Sequence, residues 1–514
     1  MEDLLDGWGL ATATFLPLVG TAVIMAIPRA QETLHKLVAL LTSLTVLALT
    51  IGVAAFFDYD RTRELQYLVD ESWIDIINSR FIVAVDGMSL PLLLLTALIV
   101  PLVIIYSWDH FPEPHNPKAF LSLILILETG MVGTFVAQDL ILFFVFFEIV
   151  LLPMYFMIGV WGGEQRQYAS IKFFLYTLFG SALMIVAFLS LYFLATDGNG
   201  SQLNTFDMRE LSQWAGADLS RVAGLLIFGG MFMGFGIKVP IFPFHTWLPD
   251  AHTEAPTQGS VILAAVLLKL GTYGFIRIAI PILPEAAQEW APWIGGLAVI
   301  GIIYGALGCL AQTDMKRLIA FSSVAHMGFV MLGISTLTDF GINAAIFGMV
   351  AHGLITGMLF FLAGSVKDRY HTLEIKRLGG LLVEAPRMGW LLGFCCMASL
   401  GLPGLAGFWG EFPAILSAFN PNVEQVGLFR VYMVIAAIGT ILAAGYLLWL
   451  LQRVAFGNPR EEFAREHIHD MHVTDYIAWV PMIVLIVVLG VYPNLLFRVT
   501  DGAVIESLVA IAPR

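Results

Sequence analysis

Long apolar stretches separated by short polar breaks run the length of the chain. A helix that crosses a bilayer core needs about 20 mainly apolar residues. Fourteen segments meet that requirement, with cores near 8–27, 36–57, 87–107, 119–137, 139–160, 170–195, 222–247, 256–281, 291–311, 317–337, 339–366, 388–419, 428–455 and 474–497. The pattern predicts an all-α polytopic membrane protein of fourteen transmembrane helices. No basic n-region precedes the first apolar run, which follows Glu2, Asp3 and Asp6. That run is expected to stay as a membrane helix rather than be removed as a signal.

Composition agrees with lipid as the main solvent. Of 514 residues, 58% are hydrophobic and 13% charged, against about 25% charged in soluble domains. So few charges cannot cover a soluble protein of this size, so the lipid bilayer is the expected partner for most of the surface. A net charge of −13 with no basic patch gives no footing for nucleic acid. The three cysteines, Cys309, Cys395 and Cys396, lack metal-ligand spacing, and an iron–sulfur cluster usually takes four thiolates. No dinucleotide fingerprint or P-loop is present. No metal or cofactor is therefore expected on this chain, and any redox chemistry belongs to partner chains.

Fourteen spans put both termini on one side, and the charges of the loops suggest which. Alternate loops, starting with the first, hold Arg29, Lys36, Lys118, Arg166, Lys172, Lys316, Arg317, Lys367, Arg369, Lys376, Arg377, Arg387, Arg453, Arg460 and Arg465, which is 15 basic residues. The opposite side holds 9: Arg61, Arg63, Arg80, Arg209, Arg221, Arg277, Arg430, Arg498 and Arg514. The positive-inside rule makes the richer set cytoplasmic and both termini external. Of the 26 Lys and Arg, this leaves only Lys238 and Lys269, both inside predicted helices.

Charges at bilayer depth cost roughly 2.5–3.5 kcal/mol each on insertion scales and persist where they face protein or water. Glu148 lies nine residues into the fifth helix, about 13 Å deep at roughly 1.5 Å per residue. Lys269, His326 and His352 are near mid-span in the eighth, tenth and eleventh helices. Lys238 and Glu411 occupy helices interrupted by proline. Residues 238–252 read KVPIFPFHTWLPDAH and residues 401–412 read GLPGLAGFWGEF. Pro240 removes the helical donor of the Gly236 carbonyl, Pro243 that of Val239 and Pro403 that of Ser399. Broken helices beside buried charges are how transporters build ion sites near the midplane. A single buried Lys can be a structural ion pair, and a single buried His a hydrogen-bonded core residue. Six such groups at similar depth with two broken helices fit a proton pathway better. Glu128, mid-way along the fourth helix, fits pathway and packing equally. Asp139, at a helix start, reads as a cap or mouth residue.

The two breaks are 163 residues apart, Pro240 to Pro403. Five helices around each give two units, helices four to eight and nine to thirteen. Because five is odd, the second unit is inverted, as in transporter repeats. The expected divisions are 1–117, 118–285, 286–460 and a C-terminal helix in 461–514.

At these residues the chain resembles the antiporter-like subunits of respiratory complex I and the Mrp sodium/proton antiporters. The resemblance spans nearly the whole chain. It is carried by FEIVLLPM (147–154), WGGEQRQYASIKFFLYTLFGS (161–181), the 238–252 segment, PTQGSVILAAVLLKLGTYG (256–274), DMKRLIAFSSVAHMG (314–328) and AHGLITGMLFFLAGSV (351–366). Most members carry a Lys in the second broken helix. Glu411 there resembles the branch formed by chain M of the bacterial complex and mitochondrial chain 4, and the single helix with a short tail expected after residue 460 agrees.

The resemblance implies that Glu148 pairs with Lys238, that Lys269 is the central carrier, that His326 and His352 relay through water, and that Glu411 sits on the exit side. His245 and His252 are weaker candidates on the intake side. It also implies neighbouring membrane-arm subunits as partners, with NADH, FMN, iron–sulfur clusters and quinone on other chains. The length suggests a bacterial plasma membrane rather than a mitochondrial one. Two other readings use the same residues: an Mrp-type Na⁺/H⁺ antiporter subunit, against which Glu411 argues, and a structural scaffold held by buried ion pairs.

Overall fold

A computed structural model describes residues 2–197, 199–214, 219–463 and 468–511. Arg465 and Arg514, which entered the loop-charge comparison, lie outside the described residues. Among those described, thirteen helices are long and apolar enough to cross a membrane. They correspond to thirteen of the fourteen predicted spans.

The departures occur where the backbone is interrupted. The predicted twelfth span is two shorter helices, Pro386–Ser399 and Ala406–Ser417. The link between them passes through Gly401 (φ +79°) and Gly404 (φ +94°), a conformation in which a Cβ is disfavoured. The predicted seventh span, 222–247, ends early. Its helix is Arg221–Lys238, followed by turns and the short helix Trp247–Glu254, because Pro240 and Pro243 cannot continue the ladder. The chain end also differs from the short tail expected after a single helix. Val473–Val491 is followed by a second helix, Asn494–Ser507, since Tyr492 leaves helical geometry (φ −126°, ψ 69°) and Pro493 caps a new start. The loop 58–86 carries an antiparallel hairpin, Gln66–Ile74 with Ser79–Val85. Its first strand, QYLVDESWI, has no clean apolar alternation, so period-2 patterning did not reveal it.

Lipid exposure separates the helices. In Thr257–Ile282 and Met315–Ser335, 94% of the central window is buried, and in Asp339–Tyr370 all of it is, against 28% in Glu32–Phe56. The first three carry Lys269, His326 and His352, so these polar groups occupy the innermost helices of the bundle, where a buried charge meets protein instead of lipid.

The two sets of loops gather at opposite ends. At one end Val83 bridges Ala137 and Asp139 bridges Asp207, while Asn78 donates to the Asn204 carbonyl. At the other, Lys36 donates to the Trp108 carbonyl, Lys118 to that of Ile27 and Arg369 to that of His469. There too Gly163 N–H bonds Glu254 and Asp314 bridges Glu374. This second end is the one rich in Lys and Arg.

Candidate functional site

The first pair of residues, Glu148 and Lys238, sits at two helix interruptions. The helix Leu140–Ile149 breaks at Val150 before Leu151–Trp161; Pro153, four residues after Ile149, cannot donate to its carbonyl. Glu148, one residue before the break's edge, lies near Ser181 and feels the charge of Lys238. Lys238 is the last residue of its helix, 2% exposed, at the partially negative end of the helix dipole. Its Nζ has no hydrogen-bond partner among the described residues and stands 4.8 Å from the Phe147 ring centroid, within cation–π range. Glu148 and Lys238 therefore interact through space, without the direct hydrogen-bonded ion pair that the resemblance implied. The interruption is locally satisfied: the Gly236 carbonyl accepts from Ile241 N–H at 2.9 Å and the Ile237 carbonyl from Trp247 Nε1 at 2.9 Å.

The second group is a contiguous chain. Lys269 is fully buried. The helix around it widens into π turns at Leu263–Leu267 and Phe275–Ala279. In the first, Leu268 N–H reaches back five residues to Leu263, which leaves the Ala264 carbonyl open to receive a bond from Lys269 Nζ. Lys269 Nζ also donates to His352 Nδ1 at 2.7 Å. The His352 and His326 ring centroids are 6.0 Å apart. His326 Nδ1 donates to Glu411 Oε1 at 2.5 Å, and its Nε2 meets Ser399 Oγ at 3.0 Å and Tyr446 Oη at 3.1 Å.

Between His352 and Glu411 lies a cavity of about 20 Å³ lined by both, with His326, Ser399 and Thr356. That exceeds the roughly 10–15 Å³ a water requires. Of these lining residues, His352 and Glu411 each have a buried atom, Nε2 and Oε2, with no hydrogen-bond partner among the described residues, so the lining offers polar groups that a bridging water could satisfy.

Close backbone approach holds the parts together. A Cβ on Gly271 would lie 2.5 Å from the Phe235 carbonyl oxygen and 3.1 Å from Lys238 Cβ. Only glycine lets the Lys269 helix approach the Lys238 helix end this closely. Gly410 likewise meets Gly348 backbone to backbone, bringing the Glu411 helix against the His352 helix.

The remaining candidates separate. Glu128 is fully buried and neither of its carboxyl oxygens has a partner among the described residues. Asp139 caps its helix, accepting from Ile141 and Leu142 N–H at 2.9 and 3.0 Å, and it also accepts from Ser79 Oγ and Arg80 N–H at 3.0 Å. His245 packs its ring 4.9 Å from that of Tyr304. His252 stacks on Phe360 at 4.4 Å and lies within electrostatic reach of Lys269 and Lys316. Lys316, counted as a loop charge from the sequence, is 3% exposed and donates to the Ala255 carbonyl. Sequence reasoning passed over it and over Ser399, Tyr446 and the Ala264 carbonyl. Ser399 had a signal, since Pro403 pointed to its carbonyl; a Tyr in an apolar span has none. Among the described residues no cluster of three or more His, Cys, Asp or Glu is arranged to hold a metal.

Comparison with known proteins assigns the frame. Residues 16–134 match the model of the NADH-ubiquinone oxidoreductase chain 4 amino terminus. Residues 137–438 match that of the NADH:quinone oxidoreductase/Mrp antiporter transmembrane family. NADH-quinone oxidoreductase subunit M of Rhodobacter capsulatus is 41% identical over 96% of this chain and 94% of its own. The chain belongs to the NADH-quinone oxidoreductase subunit M family. The junction between the two family matches falls at residues 135–136, the end of the helix Pro117–Val136, so the second begins just before the Glu148 helix and contains all six central polar residues. A chain of respiratory complex I from Thermus thermophilus with bound NADH superposes with TM-score 0.84 at 28% identity, covering 97% of this chain and 99% of that one. A chain of the Mrp complex from Dietzia sp. shares the fold (TM-score 0.81, 18% identity, 98% of both chains).

Proposed function

We propose that this chain is a proton-translocating membrane-arm subunit of an NADH:quinone oxidoreductase, and that Lys269, His352 and Glu411 form its proton relay, with His326 holding the Glu411 carboxyl group. The carrying observation is the continuity of these groups, with one water-sized cavity between His352 and Glu411, in the helices least exposed to lipid. Electron transfer from NADH through FMN and iron–sulfur clusters to quinone belongs to partner subunits.

The relay follows from the donors and acceptors. Lys269 Nζ, donating to His352 Nδ1, transfers a proton along that bond; the Nζ–H bond breaks as Nδ1–H forms. His352 then releases its Nε2 proton to a water in the cavity, and the water passes one to Glu411 Oε2. The His326 contact at Glu411 Oε1 holds the carboxyl group in place and shares its charge. Glu148, acting on Lys238 through space, biases the amine across the Gly271 contact. His252 is placed to reload Lys269 from the basic-rich end. Moving one charge against roughly 150–200 mV costs about 3.5–4.6 kcal/mol, so the carrier's proton affinity must swing by the equivalent of about three pKa units each cycle.

The reading assigns the basic-rich end to the cytoplasm and the termini to the outer side of a bacterial plasma membrane. It takes Pro386–Ser399 and Ala406–Ser417 together as the fourteenth crossing. The breaks after Lys238 and before Glu411 then occupy matching places in two inverted five-helix repeats, 118–285 and 286–460.

The test is Lys269→Met in assembled complex, with NADH-driven proton uptake and NADH oxidation measured on the same inverted vesicles. Loss of both in an intact complex is the expected result. Unchanged protons per NADH would leave the buried charges as scaffold. Sodium-dependent proton exchange by the chain without electron transfer would support the antiporter reading instead.

A further inference from the structure

Lys269 faces His352 on one side, but its helix also carries polar groups toward the other end of the bundle. Tyr273 follows four residues later and Arg277 four after that, a spacing that keeps side chains on one helix face. Arg277 Nε donates to Tyr273 Oη at 3.0 Å, and Tyr273 Oη donates to the Phe135 carbonyl at 3.0 Å. Arg277 Nη2 then donates to Asp86 Oδ1 at 2.5 Å, with side chains only 11% and 3% exposed. Asp86 Oδ1 is itself held by the N–H groups of Met88 and Ser89, each at 3.1 Å. Immediately beyond this pair is a cavity of about 650 Å³ lined by Asp86, Gln138 and Arg277 with Arg63, Arg209 and Glu506. It lies at the end where the hairpin loop and the segments 137–139 and 204–207 meet.

We infer that the Asp86–Arg277 pair is a cation plug that separates this polar vestibule from the Lys269 column and stops protons from returning along it. The inference rests on Lys269 being a proton carrier. A guanidinium never gives up its proton in a protein, so it relays nothing. It places a permanent positive charge between the vestibule and Lys269 on the helix that carries both residues, the device by which channel arginines exclude protons. Asp86 neutralises the buried charge enough to keep it in place and fixes it to the start of the helix Ser89–Tyr106. A plain tether between two helices would need the pair but not the position of its cation. The two roles separate on that point.

The experiment uses assembled complex in proteoliposomes without NADH, under a valinomycin-clamped potential, with a trapped pH dye reporting passive proton flux after a pH jump. The double variant Asp86→Asn/Arg277→Gln removes both charges together and leaves no orphan charge. It is expected to leak about tenfold faster, equivalent to a barrier lowered by about 1.4 kcal/mol. The swapped pair Asp86→Arg/Arg277→Asp keeps an ion pair and the tether but moves the cation off the column. It should leak as well, and it keeps the test open if the neutral variant does not assemble. Arg277→Lys, whose ammonium can release a proton where a guanidinium cannot, should leak at a rate between wild type and the neutral variant. Wild-type flux in assembled neutral or swapped variants overturns the plug. Adding Lys269→Met should return the leak to the wild-type level. A leak that survives this addition keeps the plug and rejects Lys269 as the conduit, so failure of the relay and failure of the plug give different results.

Discussion

Replacing Glu411 with Gln keeps the side-chain shape and removes the carboxylate that faces His326. The contact is 2.5 Å. At that distance opposite unit charges attract by about 7 kcal/mol at an effective dielectric of ~20. Taking both groups out of water offsets most of this. A charge-assisted hydrogen bond nets about 1.5–3 kcal/mol. A loss of that size is a factor of about 10 to 150 in an equilibrium constant. Raising one charge through ~150 mV costs about 3.5 kcal/mol, so the lost stabilisation is comparable to the electrical work of one transfer. The defect should therefore depend on the opposing potential.

The assay is proton uptake per NADH in inverted vesicles, with the potential set by valinomycin and a potassium gradient. Glu411→Gln should retain part of its pumping when the potential is collapsed and lose it as the potential approaches ~150 mV. Glu411→Asp keeps the charge and should lie between Gln and wild type. Wild-type stoichiometry for an assembled Glu411→Gln complex at full potential would refute the reasoning, because a group of this strength on the path cannot be removed without effect.

Two further predictions concern the scaffold around the relay. Burial alone would lower the pKa of the His110 imidazole, but hydrogen bonds to Asp368 and Asp475 outweigh it and raise the value to about 9 from 6.5. Because the folded value is the higher one, this stabilisation is complete below about pH 6.5 and lost as pH rises through about 9, with a size on the order of 3 kcal/mol. Thermal inactivation of the complex followed against pH should show that loss, and His110→Gln should flatten it; a parallel pH profile for the variant would refute the assignment. Gly271→Ala should destabilise the chain by about 1–3 kcal/mol through overpacking, since the new Cβ meets the Phe235 carbonyl oxygen and Val239 Cγ2 at 2.5 and 2.9 Å. Gly427→Ala, with nothing within 4 Å of the added Cβ, is the control, and equal thermal stability of the two variants would contradict the packing argument.

The apolar runs revealed the long helices because the bilayer sets a length that composition alone can meet. Pro240 and Pro403 revealed the two broken helices because a missing N–H is written in the residue itself. The π turns flanking Lys269 had no such mark: LAAVL and FIRIA are ordinary helix-compatible sequence, and the widening is settled by packing and by the Lys269 bond to Ala264. Lys316 was misplaced for a related reason. It lies beside Asp314 and Arg317 at a helix start, so sequence groups it with loop charges, while the chain folds Ala255 over it. Candidate relay residues were legible as residue types at mid-span depth. Their order was not, because the contacts joining His352 to Lys269 and Glu411 to His326 cross 83 and 85 residues of chain.

The irregular backbone and the buried charges have a common cause. Glu148, Lys238, Lys269 and Glu411 each lie in or beside a helix break or a π turn, whereas His326 and His352 occupy uninterrupted helices. A regular helix spends its carbonyl groups on its own amides and offers a buried ammonium or carboxylate little compensation. An interruption exposes a carbonyl, as at Ala264, or ends a helix dipole, as at Lys238, and so supplies a local field for a charge. An imidazole has both a donor and an acceptor and can be neutral, so side chains such as Ser399 and Tyr446 satisfy it without breaking the backbone. Strictly regular helices at the four charged positions would remove that compensation. Straightening the π turn beside Lys269 should therefore weaken the relay even with every named side chain left in place.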